Sequence, residues 1–247
     1  MKTALVIQHN PHEELGVLYA SILNEYDFCI QTVTSFDGFF FSNAPELSTI
    51  DLIISLGGPQ SVNDDDVFLI REQKYLYQAT IMDIPIFAIC LGAQLLAAAF
   101  EASIFPTGGY QFGLRKIYVT EDGDIDPVFK NFTIPLVPTM HGETFTLPNG
   151  AVKLADGYML CRDGSYEKIN MAFRIGKSYG FQFEPHLMLD QFTVWNEKMA
   201  DDYEYMGRNF DPVEQSGINL REFTKYEQHF TVQAEQVFKA FLDTFIN

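Results

Sequence analysis

Short apolar runs bounded by turn residues alternate with helix-period stretches over the first hundred residues. Residues 3–9 read as an interior parallel strand, and residues 28–33 as a second strand with weaker alternation. Asp51-Leu52-Ile53-Ile54-Ser55-Leu56 reads as a third, ending in Gly57-Gly58-Pro59-Gln60-Ser61. Residues 84–90 form a fourth, apolar throughout, as expected of a strand buried on both faces. Between them, Pro11 to about Asn24 carries Leu15, Leu18, Tyr19 and Ile22 on one helical face. The acidic loop Asn63-Asp64-Asp65-Asp66 can cap a helix running to about Gln78, and residues 91–100 have the Leu/Ala content of a buried helix. Strand alternating with helix predicts a doubly wound parallel sheet, whose sites form at the carboxyl ends of the strands. Beyond residue 101 the runs at 115–120, 134–141, 151–155, 169–175 and 178–183 read as strands. The end reads as helix over about 189–208 and 219–245. There Phe223, Tyr226, Phe230, Val237, Phe241 and Phe245 form a stripe assigned to core or dimer surface, not to a cofactor.

Composition narrows the picture. The 247 residues suffice for one large domain, or one domain with an appendage. A net charge of −17 argues against nucleic-acid binding through a basic surface and against an anionic membrane. Cys29, Cys90 and Cys161 are odd in number and lack metal-ligand spacing, which suits free thiols in a reducing compartment. The apolar core of the N-terminus is too short for a signal peptide, and no apolar run approaches ~18 residues, so a cytoplasmic protein is expected.

The chemistry concentrates at Cys90. It stands between a buried strand and a buried helix, with small residues at Ala88 and Gly92 as a sharp nucleophile-bearing turn requires. A helix N-terminus favours thiolate over thiol, and the Leu91 N–H is placed to stabilise an oxyanion. The alternative is a buried cysteine packing as a small hydrophobe. Gly57-Gly58 falls at the end of a neighbouring strand and can face the same crevice.

Four segments, in order, resemble the class I glutamine amidotransferases, particularly free-standing proteins similar to the amidotransferase domain of GMP synthetase. They are Ser55–Ser61, Ile89-Cys90-Leu91-Gly92-Ala93-Gln94, His141-Gly142-Glu143, and Ala172-Phe173-Arg174 with Tyr179-Gly180-Phe181-Gln182-Phe183. The resemblance covers about residues 3 to 190. It implies a flavodoxin-like α/β fold with a doubly wound mixed sheet and a C-terminal helical segment. It also implies an amidotransferase-like domain over 1–190 and a helical extension over 191–247. Cys90 would attack the glutamine side-chain amide and form a γ-glutamyl thioester, releasing ammonia. Gly58 and Leu91 would supply the oxyanion donors, and Gln94, His141 and Gly142 would lie on the substrate side. No cofactor or metal is implied. The partners implied are glutamine or a γ-glutamyl compound and a separate synthetase chain, with a homodimer admitted.

One departure stands out. The family's last motif, Gln-Phe-His-x-Glu, reads here Gln182-Phe183-Glu184-Pro185-His186, with acid and base exchanged. On a continuing strand both side chains would point toward Cys90, with Glu184 nearer and His186 roughly 6–7 Å further along. Three readings stay open: a bend at Pro185 that presents His186 to Cys90 with Glu184 as orienter; Glu184 acting as the base; or a broken triad in a binding or regulatory module. A γ-glutamyl peptide hydrolase is a further alternative. Ala88 for Gly, Glu143 for Asp and Gln111 for Glu are smaller departures.

Overall fold

The computed structural model describes residues 2–36, 41, 44–207 and 210–246. Its strands are β1 (Lys2–Gln8), β2 (Phe28–Thr34), β3 (Leu52–Ser55), β4 (Ile86–Ile89), β5 (Ile104–Lys116), β6 (Tyr118–Val119), β7 (Leu136–Phe145), β8 (Val152–Leu160), β9 (Tyr166–Ile175) and β10 (Ser178–Phe181). Its α-helices are α1 (Val17–Glu25), α2 (Val67–Ile81), α3 (Leu91–Ala99), α4 (Glu121–Ile125), α5 (Leu189–Lys198) and α6 (Pro212–Phe245). An eight-stranded sheet runs β2-β1-β3-β4-β10-β9-β8-β6. Its first five strands are parallel, and antiparallel pairing begins at β10–β9. β5 and β7 form a separate antiparallel pair.

Strand alternation decides what each face packs against. On one side Ala4 and Val6 of β1, with Leu52 and Ile54 of β3, meet Tyr19 and Leu23 of α1 and Phe238, Phe241 and Leu242 of α6. On the other, Leu5, Ile7 and Ile53 meet Leu69 and Leu76 of α2 and Leu95 and Leu96 of α3. Both faces are covered, which is why these strands read as continuous apolar runs. A third cluster joins Phe112 of β5 and Leu187 to Phe192, Trp195, Tyr203, Phe223 and Phe230.

Three expectations need correction. Residues 10–16 are irregular, and α1 starts only at Val17. Helix over 189–208 is α5 followed by a 3-10 segment, Ala200–Met206, with Arg208 outside the described residues. The last helix begins at Pro212, where Asp211 caps it by accepting from the Glu214 N–H at 2.9 Å. Asp66 caps α2, accepting from the Phe68 N–H at 2.7 Å. Among the described residues no helix is long and apolar enough to cross a membrane.

Candidate functional site

Cys90 sits at the turn from β4 to α3 with φ 49° and ψ −109°, a strained backbone for a non-glycine residue. The turn is tied down on both sides. The Cys90 N–H donates to the Phe181 carbonyl of β10 at 2.7 Å, and the Gly92 N–H donates to Leu56 at 3.1 Å. A Cβ at Gly92 would run into the Ser55 carbonyl, so glycine there lets the helix approach β3. The Leu91 N–H lies near enough to the Cys90 sulfur to favour its thiolate.

The glycine loop closes on the same spot. Gly58 lies against the Leu91 side chain, since a Cβ on it would stand 2.8 Å from Leu91 Cδ2. Ser61 Oγ donates to the Glu143 carboxylate at 2.9 Å, which ties the loop to β7. Gln94 is buried and donates to Gln182 Oε1 at 3.2 Å; Gln182 in turn donates to the Cys90 sulfur at 3.8 Å. His141 is buried on strand β7, its Nδ1 donating to the Glu143 carbonyl at 2.8 Å. Burial pushes its pKa down to about 4, so the ring is neutral near pH 7. A cavity of about 470 Å³ opens over Cys90, with Gly58, Leu91, Gln94, His141 and Gly142 in its wall.

The exchanged motif is resolved by a bend. β10 stops at Phe181, and the Leu187 N–H donates to the Glu184 carbonyl at 3.2 Å across a turn containing Pro185. The rule that residues two apart share a strand face therefore does not reach Glu184 and His186. Glu184 is the group brought against the thiol. His186 makes no hydrogen bond to Cys90 and is not presented to it. Its ring tilts against Tyr19, with centroids 6.0 Å apart, and its Nδ1 lies 3.7 Å from Glu184 Oε2. Burial pushes its pKa down to about 4, and neither ring nitrogen has a side-chain hydrogen-bond partner.

A second carboxyl joins them that the sequence did not mark. Glu13, in the irregular segment 10–16, closes on Gly57. A Cβ built on Gly57 would collide with Glu13 Oε2 and stand 3.3 Å from Glu184 Oε1 and 3.5 Å from Cys90 Cβ. The segment is held from α5: Trp195 Nε1 donates to the His12 carbonyl at 2.8 Å, and Gln191 Nε2 to the Glu14 carbonyl at 3.0 Å. Burial raises the pKa of Glu13 to about 7. Burial likewise raises Glu184, with Glu13 adding to it. Burial, then Glu184 and Glu13, push the Cys90 thiol well up, with only the Leu91 N–H opposing. Tyr110, Arg162, Asp202 and Tyr205 also line the cavity; Tyr110 donates to Asp202 Oδ2 at 2.7 Å. Asp202 and Tyr205 come from the 3-10 segment, and no signature of their own marks them in the sequence.

Fold and cysteine turn together define an α/β protein of the amidotransferase type, with its crevice at the carboxyl ends of parallel strands. The model of the family "Glutamine amidotransferase class-I" matches residues 19–194, and the chain belongs to that family. The glutamine-hydrolyzing GMP synthase of Chlorobium chlorochromatii (strain CaD3) is 30% identical over 154 residues, 61% of this chain and 28% of that protein. The chain thus spans little more than a quarter of that relative's length. A glutamine amidotransferase from Thermotoga maritima superposes with a TM-score of 0.80 at 22% identity, covering 98% of each chain. The glutamine amidotransferase from Methylobacillus flagellatus gives 0.83 at 20% identity, covering 99% of this chain and 96% of the other.

Proposed function

We propose that Cys90 cleaves a γ-glutamyl amide, with Glu184 in the role the family gives to histidine. The observation that carries this is the thiol under an open cavity, with both the Leu91 N–H and the Glu184 carboxyl beside it. In the ionised fraction of Glu184, which grows as pH rises, the carboxylate accepts the thiol proton while sulfur bonds to the amide carbon. The oxyanion so formed is held by the Leu91 and Gly58 N–H groups. As the C–N bond breaks, Glu184 returns the proton to the departing ammonia. Water then adds to the thioester, giving the γ-carboxylate and restoring the thiol. Gln94, His141 and Gly142 hold the rest of the substrate. On this reading residues 1–190 carry the chemistry, and the extension 191–247 contributes Asp202 and Tyr205 to the cavity wall. The ammonia would pass to a synthetase on a separate chain, as the relatives named as GMP synthases suggest.

A second reading draws on a specific observation. A buried thiol beside two carboxyls resists ionisation, which favours a module that holds a γ-glutamyl ligand without turning it over. The deciding experiment measures ammonia from glutamine, and the freed amine from γ-glutamyl peptides, for wild type, Cys90→Ala and the double exchange E184H/H186E. Release above the Cys90→Ala background upholds the hydrolase, and the double exchange is expected to be faster by at least about tenfold, restoring an imidazole at the sulfur. Ligand binding without release from either substrate selects the holding module.

A further inference from the structure

Behind the Gly57–Gly58 turn lies a buried ionic pair that the scheme above leaves unused. His9, immediately after β1, has Nε2 2.7 Å from Glu72 Oε2 of α2 and Nδ1 3.1 Å from the Gly57 carbonyl oxygen. Both side chains are completely buried. The other Glu72 oxygen accepts from Ser55 Oγ at 2.6 Å. A carbonyl can only accept, and so can a carboxylate. Both His9 nitrogens therefore face acceptors, an arrangement satisfied by imidazolium and not by either neutral tautomer beside an ionised Glu72.

The consequence falls on the oxyanion loop. A trans peptide carries its C=O and N–H on opposite sides of one plane. Holding the Gly57 carbonyl onto His9 turns the Gly58 N–H away from His9. A Cβ on Gly58 would stand 2.6 Å from His9 Cβ on one side and 2.8 Å from Leu91 Cδ2 on the other, and Gly58 lines the cavity over Cys90. Two glycines in succession offer the backbone little resistance to flipping this peptide. Something must select one orientation.

We propose that the His9–Glu72 pair is a positioning element that clamps the Gly57 carbonyl and thereby keeps the Gly58 N–H turned into the cavity as the second oxyanion donor. The role rests on the Cys90 reading above, but the clamp itself does not. The groups that face or touch His9 are Glu72 and the Phe68 ring edge from α2, Glu13 from segment 10–16, the Gly57 carbonyl, and, on the His9 main-chain oxygen, Ser35 Oγ and the Gln60 amide. Burial alone would depress the imidazolium. Glu72, the Gly57 carbonyl and Glu13 outweigh it and hold the pKa above 6.5. The clamp is thus closed on the acid side of the raised value and opens as pH rises through it.

The test uses glycine-15N-labelled full-length protein, following the Gly58 amide resonance and turnover against pH in wild type, His9→Phe and Glu72→Gln. A glutamine at 72 can donate to Nε2 of a neutral His9, leaving Nδ1–H for Gly57, so the clamp no longer needs the charge. In wild type the Gly58 resonance and kcat are expected to share one alkaline limb, which Glu72→Gln flattens. His9→Phe is expected to shift the resonance and to lower kcat about 100-fold, the cost of one oxyanion donor, with KM within about twofold. A Gly58 resonance blind to pH in wild type, or an alkaline limb unchanged in Glu72→Gln, overturns the clamp even if His9→Phe fails to fold. Should wild type release no ammonia while the Gly58 limb appears and Glu72→Gln removes it, the clamp stands and only the hydrolase reading falls.

Discussion

At Cys90 two opposed effects meet, and their sizes decide the outcome. The N-terminus of α3 and the Leu91 N–H favour thiolate, a contribution of about 0.3–1 kcal/mol at a helix end. Burial and two neighbouring carboxyls work the other way, and burial leads. The thiol consequently rests protonated, aimed at the Met140 carbonyl 3.7 Å away. Iodoacetamide labelling of Cys90 is expected to rise with pH at a midpoint above that of a free thiol. Glu184→Gln removes a carboxyl whose ionised form opposes the thiolate and should lower that midpoint. A wild-type midpoint below the ordinary thiol range would refute this electrostatic account. His186 gives the complementary case. Its buried ring has only the Glu14 main chain as a polar partner and leaves a nitrogen unpaired, a cost of about 1–3 kcal/mol, so His186→Leu is expected to leave stability within about 1 kcal/mol or to raise it. A loss above about 2 kcal/mol in urea unfolding would show the imidazole anchoring the turn instead. The exchange of acid and base was plain in the residue order. Which of them meets the sulfur was not, because that depends on where β10 stops, and Pro185 permits both an extended and a bent path.

Among the elements, segment 10–16 shows how a site can borrow a stretch with helical periodicity. Leu15 and Tyr19 suit a helix face, yet Pro11 and Gly16 interrupt it, and Gly16 takes φ 81°. The chain there carries Glu13 to Gly57 instead of starting α1 early. β1, β3, β4 and α3 were legible because full burial leaves an unmistakable apolar run; the helix start was not, because helical periodicity survives in residues that turn. Glu13 carried no signal of its own, being an isolated acid in a polar stretch. Its placement depends on α5, about 180 residues away in sequence, through Trp195 to His12 and Gln191 to Glu14. Trp195→Phe deletes the Nε1 donor and part of the buried indole. The lost hydrogen bond and the cavity together are expected to cost about 2–3 kcal/mol and, by loosening Glu13, to lower the Cys90 labelling midpoint. If stability falls while the midpoint stays, α5 supports the fold without positioning Glu13.

For the molecule as a whole, the buried ionisable groups set a pH profile of stability whose sign can be worked out. Glu13, at about 7 against 4.5 when unfolded, holds a proton in the native state that the unfolded chain releases. Its contribution is complete below 4.5 and is lost as pH rises to 7, about 3 kcal/mol in all. Glu184 acts in the same direction. His9, raised above 6.5, adds a loss that begins there. His141 and His186, both lowered to about 4 from 6.5, do the reverse, gaining stability as pH climbs from 4 to 6.5. Between about 4.5 and 6.5 the two sets oppose each other, and above 6.5 only the losses remain. The net charge of −17 adds self-repulsion on the same side. Thermal midpoints are therefore expected to be highest on the acid side of neutrality and to fall from pH 6.5 to 8.5. Glu13→Gln, which cannot ionise, should flatten part of that decline. A profile that rises through this range in wild type would mean that Glu13 and Glu184 are ionised in the fold, and the protonated carboxyls beside Cys90 would have to be abandoned.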